Sequence, residues 1–178
     1  MKKLLALLFC IVMIVSMVGC ASDEAETTEA PATEAPTTEA PTTEPPVAQG
    51  DEMSLTEIMD TLYNGYTEEL PMLATTELTD AETFEWITYA SYVEGYEAVC
   101  SEPMMSSIAH SVVLVRVPEG TDVESVRAEI EQNHDPRKWI CVEAEKSAVI
   151  AHNNTILLVM STTALADVVI ANFDALWA

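Results

Sequence analysis

A chain of 178 residues with 30 acidic and only seven basic side chains, at a formal charge of −23, repels the phosphates of nucleic acids and of anionic lipid headgroups and is a poor ligand for either. Seven of the acids precede residue 50; the other 23 face five bases, so residues 51–178 carry −18. That charge favours solubility and draws cations, cationic peptides or basic protein patches. These 128 residues are enough for one core and too few for two.

Lys2 and Lys3, an apolar run over residues 4–18 and small residues at the processing point give residues 1–19 the three parts of a secretory signal peptide. The run is shorter than the ~20 apolar residues that span a bilayer. It ends in Met17-Val18-Gly19-Cys20, which resembles the lipobox of bacterial lipoproteins. The resemblance implies cleavage before Cys20, acylation of its thiol (a palmitate-type modification) and a lipid anchor on the extracellular face of the cytoplasmic membrane. The competing reading is a secreted protein with a chance cysteine at its cleavage site. Two or more acyl chains hold stably where one holds marginally. Cys10 leaves with the signal.

Residues 20–50 are expected to form a disordered linker. A five-residue unit of Thr, Glu, Ala and Pro recurs over residues 27–31, 32–36, 37–41 and 42–46. It has no apolar face, its prolines block a helix, and its glutamates repel one another. Fully extended at ~3.1 Å per residue, such a spacer reaches about 90 Å. Sugars or a partner on the Thr-Pro repeats are the alternative use of this composition.

In the single domain of residues 51–178, Ser54 and Glu57 form a capping box, and Leu55, Ile58, Met59, Leu62 and Tyr66 fall at helical spacing, stopping near Gly65. Past Pro71 the signals weaken, and Asp80 is read as the cap of a short helix through Trp86 and Ile87. Residues 95–101 read as a strand. Residues 107–117, apolar on both faces, read as a central strand closed by Pro118-Glu119-Gly120. Thr121 and Glu124 suggest a second capping box, for a helix with Val123, Val126 and Ile130 inside, breaking at Asn133. Asp135 and Pro136 look like a fresh cap and first-turn proline for a short helical turn through Trp139. Residues 148–152 and 155–161 form a hairpin about Asn153-Asn154, and residues 164–177 a final amphipathic helix. This order predicts an α+β fold: an antiparallel sheet of about four strands, with helices packed mainly on one face.

Residues 102–116, beginning Glu102-Pro103-Met104 and including Ser107-Ile108-Ala109-His110-Ser111, together with Asn133-His134-Asp135-Pro136-Arg137-Lys138-Trp139, resemble an uncharacterised family of Gram-positive, Clostridia-type lipoproteins. There a signal and a low-complexity stalk precede a C-terminal domain of unknown function. The resemblance spans most of residues 55–165 and implies no activity.

Two places have the residue types for function. His110 and Arg116 share a strand face, but six residues at ~3.3 Å hold them about 20 Å apart, too far to grip one small group. His110 among apolar neighbours reads first as a hydrogen-bonded structural histidine. The second place is residues 135–146, where Arg137, Lys138 and Lys146 surround Trp139. Bases beside an indole on an acidic domain suit a carboxylate or a cell-wall phosphate; the plainer use is to balance Glu143 and Glu145 while Trp139 fills the core. Cys100 and Cys141 read equally as a disulfide or as small buried hydrophobes. No Cys-x-x-Cys or His-Glu-x-x-His metal spacing is present, and no cofactor is expected. A Cys-His enzyme would need His110, His134 or His152 within reach of Cys141, which no spacing indicates. The expectation is therefore a non-catalytic module that meets a cell-envelope protein or cell-wall component, with a small envelope hydrolase as the alternative.

Overall fold

The computed structural model describes residues 47–178; the signal, Cys20 and the linker repeats lie outside them. The elements in chain order are α1 (Gln49–Glu52), α2 (Leu55–Thr61), β1 (Leu73–Glu77), α3 (Ala81–Thr88), β2 (Glu97–Pro103), β3 (Ser111–Arg116), α4 (Val123–Asn133), β4 (Lys146–His152), β5 (Thr155–Ser161) and α5 (Thr163–Ala175). The strands form one antiparallel sheet in the order β1-β2-β3-β5-β4. The fold is α+β, as the sequence predicts, with two differences.

The sheet has five strands, one beyond the four or so legible in the sequence. β1, of sequence Leu-Ala-Thr-Thr-Glu, is exposed from its second residue onward, so it shows no apolar alternation to read. It is held by its ladder to β2, in the register Leu73↔Pro103 through Glu77↔Val99.

The helices cover both faces, not mainly one. β3 and β5 are buried at nearly every position, and a strand apolar on both sides needs cover on both. Val99, Val112, Leu114, Leu157 and Val159 pack under Leu55, Ile58, Met59 and Leu62 of the α2 segment and Leu165, Val169 and Phe173 of α5. Cys100, Val113, Val115, Ile156, Leu158 and Met160 pack under Phe84 of α3 and Val126 and Ile130 of α4. Each fully buried Leu, Ile, Val or Phe contributes about 1.5–3 kcal/mol, so these two layers are the main stabilising term.

Ser54 and Glu57 make the expected capping box, and Asp80 caps α3 by accepting from Thr83 N at 2.9 Å. α4 is capped by Asp122, which accepts from Ser125 N, and not by Thr121. Its carboxyl is held below its ordinary value by the bonds it accepts from Ser125. Asn153, at φ +49°, makes the hairpin turn between β4 and β5. Residues 107–110, expected as the start of the central strand, belong instead to the loop that enters β3.

The registers place Leu73, Pro103, Ser111, Ser161 and Lys146 at one pole of the sheet, and Glu97, Arg116, Thr155 and His152 at the other. The chain enters at the Arg116 pole. Arg116 donates to the carbonyls of Met53 at 2.7 Å and Gly50 at 3.0 Å. Trp177 Nε1 donates to Asp51 at 2.8 Å, and Gly50 N to Leu176 O at 3.0 Å. Among the described residues no helix is long and apolar enough to cross a membrane.

Candidate binding cleft

At the Ser111 pole, on the α3/α4 side of the sheet, three segments meet around a cleft of about 700 Å³. α3 supplies Trp86, Ile87 and Tyr89, the β2–β3 loop supplies Met104 and Met105, and the α4–β4 connection supplies Arg137, Lys138 and Trp139. Helical spacing explains Trp86: Phe84 is fully buried, so a residue two positions on points away from the core, and Trp86 is 80% exposed. α3 ends because Tyr89 turns into the left-handed region at φ +62°. Asn133, at the end of α4, donates to the Tyr89 carbonyl at 3.3 Å and ties the two segments.

The expected helical turn after α4 is a tight turn without a helix. Asp135 accepts from Arg137 N at 2.9 Å through its side chain and from Lys138 N at 3.1 Å through its carbonyl. This sends Arg137 to solvent, its side chain 74% exposed with Asp135 at 3.7 Å, and turns Lys138 inward. Lys138 pairs with Glu102 and donates to Ser111 Oγ at 3.1 Å, while Ser111 Oγ donates to Glu102 at 2.8 Å. The closed triangle leaves one wall of the cleft nearly neutral. Lys138 Nζ also sits 5.3 Å from the Trp139 ring centre. Burial, then the carboxylates of Asp135 and Glu102, push the Tyr89 hydroxyl above its ordinary value, so it is a neutral donor.

Of the expected binding residues, Arg137, Lys138 and Trp139 do share this cleft. Lys146 does not: it starts β4 and pairs with Asp167 of α5. The acids that meet these bases are Asp135, Glu102 and Asp167, not Glu143 and Glu145. Trp139 is half-buried against the α3/α4 core layer, so it both packs and lines.

His110 lies on the other side of the sheet, 1% exposed, beneath a separate hollow of about 690 Å³. Its Nδ1 is hydrogen-bonded to Ser161 Oγ at 2.9 Å and its Nε2 to Tyr63 OH at 3.1 Å. Burial pulls its pKa down to about 4 and pushes Tyr63 up to about 12, so both are uncharged at neutral pH. Ser101 Oγ is buried without a hydrogen-bond partner. Both ring nitrogens of His110 are used by the fold's own hydroxyls.

Cys100 and Cys141 are both free thiols; Cys100 is buried and Cys141 is exposed. Burial pushes Cys100 up to about 11, away from the reactive thiolate. His134 is bonded to Ile130 O and Ser147, and His152 to Asp174; no hydrogen bond joins a cysteine to a histidine among the described residues. Nor do those residues hold a group of three or more His, Cys, Asp or Glu suited to a metal ion. The cleft thus combines aromatic and thioether walls, a satisfied ion pair and one outward guanidinium, side chains able to contact a ligand.

Sequence reading alone misses Trp86, Tyr89, Met104 and Met105 as cleft residues, because three segments far apart in the chain supply the walls. The readable hint is Trp86 on the helix side opposite Phe84. Against known proteins, the chain matches no family model, no curated protein and no solved structure.

Proposed function

We propose that this chain is a lipoprotein of the uncharacterised Gram-positive kind, held by Cys20 to the extracellular face of the cytoplasmic membrane, with a folded domain that binds a cell-envelope protein or cell-wall component without catalysis. One observation carries the binding reading. Large apolar side chains that a solvated surface would normally avoid, Trp86 together with Met104 and Met105, ring a formed cleft at one pole, beside the exposed Arg137.

Charge accounting supports Arg137 as the anchor. Arg116 is bonded to backbone carbonyls, Arg127 bridges Glu124 and Glu131, and Lys138 and Lys146 each pair with a carboxylate. Arg137 has one loose pairing, with Asp135 at 3.7 Å, so it has donors to spare for a ligand carboxylate or phosphate. The cleft also stays clear of the residues that lead into the domain: Val47 lies beside Arg116, Pro118 and Asn153, at the opposite pole.

Two measurements test the two halves of the reading. Radiolabelled palmitate fed to cells is expected to enter the wild type and not Cys20→Ser; a Cys20→Ser chain that stays equally membrane-bound removes the anchor. Envelope extract passed over the immobilised chain is expected to yield a component retained by wild type and lost with Arg137→Glu and with Trp86→Ala. Retention by all three, or by none, overturns the cleft as the binding surface. A hydrolase is the alternative, and a broad substrate panel decides it: turnover by wild type that disappears in Cys141→Ala or His110→Ala would replace the binding reading.

A further inference from the structure

Among the described residues the sheet has one guarded edge and one open one. β4 lies between α4 and α5 and is half-buried along almost its whole length. β1 has neither helix layer over it and is exposed from Ala74 to Glu77. Its ladder sets which backbone groups are free. Met104 N donates to Met72 O at 3.0 Å and Leu78 N to Ala98 O at 2.9 Å, so the even-numbered residues from 72 to 78 turn their backbone to β2. The N–H and C=O of Leu73, Thr75 and Glu77 therefore point away from the sheet, the arrangement that accepts another strand.

Edges are commonly guarded by lysine, proline or a bulge, and residues 73–77 contain no lysine or proline and pair in unbroken register. The protection here is charge. Residues 47–115 hold 13 Asp and Glu and no Lys or Arg. A second copy would bring the same field to the same edge, and the glutamate-bearing linker repeats are repelled likewise. A cationic strand is attracted.

We propose that the β1 edge is a second docking site, where an extended, lysine- or arginine-bearing peptide segment of a partner adds as a sixth strand. It goes beyond the cleft reading and stands without it, since it uses backbone groups of β1 and the charge of residues 47–115.

The test uses the full-length chain in a non-ionic detergent and a fluorescent synthetic nonapeptide of alternating lysine with valine or threonine. Two control peptides accompany it: one with glutamate for lysine, and one of equal positive charge with prolines inserted so that it cannot pair. The lysine peptide is expected to bind at least ~10-fold tighter than either control, with severalfold loss from ~0.05 to ~0.3 M salt. It should also slow amide exchange at Leu73, Thr75 and Glu77.

Thr75→Pro removes an outward N–H without touching the β2 ladder, a position where an edge strand tolerates proline. It is expected to keep the wild-type circular dichroism and to lose at least ~10-fold in affinity. Should that variant fold poorly, Thr75→Lys with Glu77→Lys gives the same loss by repulsion. Arg137→Ala should leave peptide binding unchanged, which separates this site from the cleft. Equal binding of the proline-interrupted peptide, exchange protection at residues 104–106 or 135–139 instead of 73–77, or a concentration-dependent dimer abolished by Thr75→Pro would each overturn the proposal.

Discussion

Arg137 and Lys138 are neighbours in sequence with opposite duties, and substitution should separate them. Arg137→Ala removes an exposed side chain and is expected to change folding stability by less than ~0.5 kcal/mol while abolishing capture by the cleft. Lys138→Met strips the partner from Glu102, which is only about one-third exposed, and is expected to cost about 1–2 kcal/mol in a denaturant titration. Adding Glu102→Gln should recover part of that loss; a double variant weaker than the single would contradict the paired geometry. The pair of bases beside an indole was legible in the sequence. Their split in direction was not, because it depends on the Asp135 turn and on Glu102, which lies 36 residues away. Lys146 was misplaced for a related reason: β4 carries it off to Asp167.

His110 gives a second test at this scale. Its ordinary pKa of 6.5 falls to about 4 in the fold, so between those values the unfolded chain binds a proton that the folded chain refuses. Stability from this residue is therefore intact above pH 6.5 and falls as pH drops, by about 2–3 kcal/mol at pH 4. Carboxylates titrate too, so the difference between wild type and His110→Gln isolates the effect. The glutamine variant should gain on the wild type steadily from pH 7 to pH 4; a pH-independent difference would show that the ring is not held neutral.

At the scale of elements, sequence pattern worked where burial has a period and failed where it does not. The caps of α2 and α3, the turn at Asn153 and the doubly apolar β3 and β5 are all local signals, and they stand at or near their expected places. β1 escaped because an exposed edge strand is kept by its backbone ladder, which leaves no hydrophobic trace. The closure of the Arg116 pole was also invisible, since it joins both ends of the domain. It yields a stability test. A Cβ on Gly50 would stand 2.4 Å from the Trp177 indole, so Gly50→Ala is expected to cost about 1–3 kcal/mol. Arg116→Met should speed amide exchange over residues 50–53 far more than over β3. Wild-type exchange there would show that the guanidinium does not clasp the entering chain.

For the whole molecule, the arrangement has a direction. The chain enters at the Arg116 pole; the cleft, its exposed Trp86 and Arg137 occupy the pole where β3 begins, separated by a strand of about 17–20 Å. Cover on both faces leaves the poles and the β1 edge as the natural places for recognition, and the −18 charge restricts what approaches them. A photo-crosslinking residue placed at position 86, or at position 119 beside the entering chain, tests this polarity in intact cells. A discrete adduct from position 86 that disappears when Arg137→Glu is added, with none from position 119, is the expected result. Adducts from position 119 alone, or from both positions equally and regardless of Arg137, would contradict it.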